Sequence, residues 1–104
     1  MEKTYITITG TKHYFGMDFL EKGMHIKLEK EPDNPYDKEA VLAKIKGLGK
    51  IGYVANSPYT VIGDCISAGR LYDRIGEKAS AKVVLVTEKG IICRISKKSL
   101  KDKK

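Results

Sequence analysis

Six short stretches of this chain are apolar and β-compatible, and each is closed by glycine, proline or polar turn residues before it reaches an ordinary helix length. Tyr5 to Thr9 alternates, with Ile6 and Ile8 on one face and Thr7 and Thr9 on the other, the period of two of a half-buried strand. Met24 to Glu29 repeats the pattern, with Met24, Ile26 and Leu28 directed inward and His25, Lys27 and Glu29 outward. Val41 to Lys46 and Lys50 to Val54 flank Gly47-Leu48-Gly49 and predict a hairpin. Ala79 to Thr87, with its Val83-Val84-Leu85-Val86 run, and Ile91 to Ser96 flank Glu88-Lys89-Gly90 and predict another. Short strands joined by tight turns favour a closed or partly closed barrel, which hides sheet edges.

One segment carries helical signals instead. Ser57-Pro58 places an N-cap residue before a proline at the first helical position. Val61, Ile62, Cys65 and Ile66 then recur at helical spacing, and Gly69 is a natural stop. The spacing predicts one principal amphipathic α-helix over about residues 57–68, with Arg70 to Ile75 as a short second helical piece. The expected fold is therefore mainly β: an OB-like or SH3-like barrel of about six antiparallel strands with a flanking helix.

At 104 residues the chain has room for one domain. Its 41% hydrophobic and 32% charged residues exclude a disordered, apolar-poor chain. No apolar run approaches the roughly 20 residues of a membrane helix, and Met1 to Tyr5 enters the first strand without a signal-peptide core. The expectation is a free-standing, soluble, cytoplasmic protein. Cys65 and Cys93 are isolated, fit neither a disulfide framework nor a zinc site, and read as reduced packing residues.

The net charge of +7 points toward nucleic acid, but Lys97 to Lys104 supply +4 of it through five lysines and one aspartate. Residues 1–96 are expected to be the folded domain and 97–104 a lysine-rich disordered tail. The sequence has no P-loop, HExxH motif, nucleophile elbow or metal-spaced carboxylate pair, so neither an enzyme, a metal nor a cofactor is expected.

The densest polar segment is Glu31-Pro32-Asp33-Asn34-Pro35-Tyr36-Asp37-Lys38-Glu39-Ala40, between the second and third strands. Its composition alone reads as turn chemistry: proline sets φ, and Asp and Asn bond nearby backbone N–H groups. The order of its residues resembles the signature of the HIRAN family, a domain found fused to SNF2-type helicases and also alone in bacterial proteins. Two further segments match in type and spacing. Gly10-Thr11-Lys12-His13-Tyr14-Phe15-Gly16 resembles the family's G-x-x-(basic)-x-Tyr motif, and Lys50-Ile51-Gly52-Tyr53-Val54 resembles its hairpin.

The resemblance implies an OB-like barrel and, from members fused to fork-remodelling helicases, a grip on the 3′-hydroxyl end of single-stranded DNA. Asp37 aligns with the carboxylate that accepts the 3′-OH, and Tyr36 and His13 with positions that contact bases. His13 stands where helicase-fused members have tyrosine, and Lys12 where arginine is expected, so a point charge replaces a bidentate fork. Tyr14 matches a position able to support Asp37, and Asn34 one able to bond the terminal sugar or backbone. Tyr53 stands where a histidine often contacts phosphate and Asn56 where a lysine does; both departures remove positive charge. A helicase or nuclease is the expected protein partner. The rival reading is a peptide-binding groove around Tyr36 and Tyr14, which the reduced charge suits; nucleic-acid binding without end preference is a third.

Overall fold

The computed structural model describes residues 3–101. Its strands are β1 (Tyr5–Thr9), β2 (His25–Lys30), β3 (Val41–Ile45), β4 (Gly49–Val54), β5 (Lys78–Thr87) and β6 (Gly90–Ile95), with one short helix, α1 (Ala68–Tyr72). Single 3₁₀ turns cover Thr11–His13 and Lys97–Ser99. The strands close into a barrel in the order β1-β4-β3-β2-β5-β6, with β6 returning to β1 and every pair antiparallel. The fold is the mainly β six-stranded barrel that the apolar periodicity predicts.

Period-two patterning decides what fills the barrel. Ile6, Ile8, Ile26, Leu28, Ile51 and Ile91 are completely buried. Each such side chain contributes roughly 1.5–3 kcal/mol relative to an exposed one. Leu71 of α1 and Ile75 join the same core. The β3–β4 turn needs positive φ at Gly47 (85°) and Gly49 (107°), a region that costs other residues strain. At the β5–β6 turn the Thr87 hydroxyl donates to the Gly90 carbonyl and accepts from the N–H groups of Lys89 and Gly90.

β1 departs from the half-buried expectation, because Thr7 is also fully buried. β1 pairs with β4 only at Ile8 and Thr9, and residues beyond β4 cover the rest of that edge. The Thr7 carbonyl accepts from Ala55 N–H, the Tyr5 carbonyl from Ile66 N–H, and the Thr7 hydroxyl from Ile62 N–H. These bonds correct the expected helix over 57–68. Ser57 caps a local turn through Tyr59, Thr60 and Val61 N–H, Gly63 takes φ 54°, and the following amides turn to β1 rather than to carbonyls four residues back. The helix begins at Ala68, where Ser67 caps it by accepting from Arg70 N–H, and it occupies the place of the short second piece. Gly69, the expected stop, lies inside it.

The lysine-rich end also differs from a disordered tail over its described part. Lys97–Ser99 forms a turn held by the Ser99 hydroxyl, which accepts from Ser80 N–H at 2.9 Å, and Leu100 bridges Ile75. Residues 102–104 lie outside the described residues. No helix among the described residues is long and apolar enough to cross a membrane.

Candidate nucleic-acid interface

The loop from Glu31 to Ala40 is closed by its own ends, since Glu31 N–H donates to the Ala40 carbonyl at 2.9 Å. Inside it, the Asn34 side-chain oxygen accepts from the N–H groups of Tyr36 (2.8 Å) and Asp37 (3.0 Å). The Asn34 amide nitrogen donates to Glu31 Oε1 at 3.1 Å. Turn chemistry is thus present, and its result is to fix the backbone on which Tyr36 and Asp37 are displayed. The Tyr36 ring itself projects outward and is 94% exposed.

The Asp37 carboxylate is held from two directions. One oxygen accepts from Glu39 N–H at 2.9 Å and the other from the Asn56 amide at 2.9 Å. Each carboxylate oxygen offers two lone-pair sites, so each keeps acceptor capacity. Asn56 is positioned in turn by its own oxygen, which accepts from Gly69 N–H at 2.7 Å. A Cβ at Gly69 would stand 2.5 Å from Glu39 Oε1, the movable tip of an exposed side chain, and 3.2 Å from Asn56 Oδ1. The first turn of α1 therefore buttresses the loop through Asn56.

Tyr53 supplies the floor from β4. Its hydroxyl donates to Glu31 Oε1 at 2.7 Å, and its ring lies 6.5 Å from that of Tyr14, tilted by 48°. Burial, the bond to Glu31 and the charge of Glu31 push the Tyr53 phenol well above the ordinary tyrosine range. Asn34, Tyr36, Asp37, Ala40, Tyr53 and Val54 line a shallow cavity of about 250 Å³. It contains a carboxylate and no cation.

Of the eight residues singled out in the sequence, the structure gathers Asn34, Tyr36, Asp37 and Tyr53 around this cavity, with Asn56 bonded to its carboxylate and Tyr14 beside Tyr53. Lys12 and His13 sit in the exposed 3₁₀ turn after β1, and Lys12 lines a different cavity with Thr60 and Lys89. Asn56, not Tyr14, bonds Asp37, and the Asn34 side chain is committed to its own loop. Glu31, Glu39 and Gly69 take part without having been singled out. Their signal was weak, because Glu31 and Glu39 read as loop ends and Gly69 as a helix stop.

The two cysteines are free; Cys93 is buried, and burial pushes its thiol up to about 12. The described residues contain no cluster of His, Cys, Asp or Glu fit to hold a metal ion.

A small closed barrel that displays a braced loop and an exposed aromatic ring defines a binding module. The HIRAN domain family profile matches residues 1–98, and the chain belongs to that family, whose domains are nucleic-acid-binding modules. A crystal structure of a Lactobacillus plantarum protein shares the fold at a TM-score of 0.62, with 21% identity over 88% of each chain. No curated protein matches the chain significantly.

Proposed function

We propose that this protein binds single-stranded DNA at its 3′-hydroxyl end, with Asp37 accepting the terminal hydroxyl and Tyr36 stacking on a base. The observation that carries the reading is the braced Asp37 carboxylate beside the exposed Tyr36 in a cavity without a cation. A terminal phosphate would meet uncompensated like charge there, whereas a hydroxyl can donate a charge-assisted hydrogen bond. A ring as exposed as Tyr36 offers a stacking face worth about 1–3 kcal/mol per base. Lys12 and His13, on the turn that follows β1, contribute contacts to the strand leading to the end. In a cell, such a module serves repair or replication-fork processing by delivering a helicase or nuclease to an end.

The test is a titration of oligonucleotides ending in 3′-hydroxyl or 3′-phosphate, at two salt concentrations, with the native protein and Asp37→Ala. A preference for the hydroxyl that vanishes in Asp37→Ala is the expected result. Equal, salt-sensitive binding to both ends would replace end recognition with general backbone binding. Absence of binding at either salt would leave the groove around Tyr36 and Tyr14 as a peptide site.

A further inference from the structure

A concentration of basic side chains lies on a surface other than the Asp37 cavity. Antiparallel pairing sets His25 of β2 opposite Lys82 of β5, and Lys82 opposite Arg94 of β6, so the three stand in one row across three strands. All three are exposed. The turn after β6 adds Lys97 and Lys98, and it is pinned over β5 by Ser96 N–H donating to the Ser80 carbonyl and by the Ser80–Ser99 bond. These five residues line one groove with small neighbours, and among the described residues no acidic side chain lines it.

Within this row the Lys82–Arg94 pair opposes folding. Like charges directly opposite on neighbouring strands are destabilising, and strands spaced by about 5 Å hold them well within a Debye length of roughly 8 Å. The described ion pair of the barrel, Lys44 with Glu29, lies elsewhere and gives the row no relief. A surface that keeps repelling cations in register, and adds two more by ordering the chain's end, is suited to an external polyanion. Its position separates it from the end-binding site. β5 lies three strands from β4, which carries Tyr53, in either direction round the barrel, and the loop bearing Asp37 leaves β2 after Lys30, at the opposite end of that strand from His25.

We infer that the β2–β5–β6 face is a second nucleic-acid contact, gripping a phosphodiester backbone without sequence preference through Lys82, Arg94, Lys97 and Lys98. It engages nucleic acid away from the end, so that one molecule touches an end and a neighbouring segment through two separate surfaces. The surface does not depend on Asp37 or on end recognition.

The probe is a blunt DNA duplex with phosphate at both 3′ ends, which denies the Asp37 cavity its hydroxyl. The double variant Lys82→Ser with Arg94→Ser is expected to bind this duplex about tenfold more weakly, and its salt slope to fall by about 2. Its preference for 3′-hydroxyl over 3′-phosphate single strands should persist, and its melting temperature should not drop, since repulsion is removed. Asp37→Ala should keep duplex binding while losing end preference. Unchanged duplex affinity and slope in the double variant, or no duplex binding by the native protein, would overturn the inference and leave end recognition standing.

Discussion

The loop Glu31 to Ala40 and the β2–β5–β6 face use polar groups in opposite ways. In the loop the side chains of Glu31, Asn34 and Asp37 are all engaged with protein groups: Asn34 with two backbone N–H groups and Glu31, Glu31 also with Tyr53, and Asp37 with Asn56 and Glu39. Across the barrel, Lys82 and Arg94 face other cations and bond no protein acid among the described residues. A preorganised network fixes the position of one acceptor, which suits recognition of a terminal group. Unpaired cations suit a ligand that is recognised only by its charge. The difference teaches that specificity and affinity are divided between two faces, and that the first contributes to folding while the second opposes it.

The largest effect on this contrast is expected from Asn34→Ala. It leaves Tyr36 N–H and Asp37 N–H without their acceptor, and should destabilise the fold by about 2 kcal/mol and blunt end preference. The urea midpoint at constant slope measures the first effect; a loss below about 0.5 kcal/mol would mean that the loop is not held by Asn34.

Tyr53→Phe is expected to cost about 1 kcal/mol, by removing the bond to Glu31. The folded protein retains the Tyr53 proton above the ordinary pKa of 10.0. The associated stability is complete below that value and is lost as pH rises through the raised folded-state value. The gap between native protein and variant should therefore narrow between neutral pH and about pH 11, as read from paired denaturation curves. A gap that widens would contradict the assigned environment of the phenol.

Smallest of all, Lys82→Ser should leave stability unchanged or raise it by a few tenths of a kcal/mol, because it removes a charge opposite Arg94. A clear loss of melting temperature would show that the row is structural, and the contrast between the two faces would fail.

The barrel was legible because burial on one side of a strand imposes a period of two, and Ile6, Ile8, Ile26 and Leu28 display it without interruption. The segment after β4 was not. Ser57-Pro58 and the spacing of Val61, Ile62, Cys65 and Ile66 suit a helix, but their fate is decided by Tyr5 and Thr7, far earlier in the chain, whose acceptors need donors. Ser99 and Leu100 likewise order a lysine-rich end through distant Ser80 and Ile75.

At the site, the motif order brought out Asn34, Tyr36 and Asp37, which lie close in sequence. The part played by Asn56 was hidden, because its partners Asp37 and Gly69 are 19 and 13 residues away. His25, Lys82 and Arg94 carry no local signal; only strand pairing aligns them.

The most direct test compares a 3′-hydroxyl oligonucleotide with the same strand ending in a dideoxynucleotide, which lacks the hydroxyl and leaves the charge unchanged. The account predicts roughly tenfold tighter binding of the hydroxyl end at low and at high salt, with the ratio collapsing to one in Asp37→Ala. Equal affinity for the two ends in the native protein would contradict it.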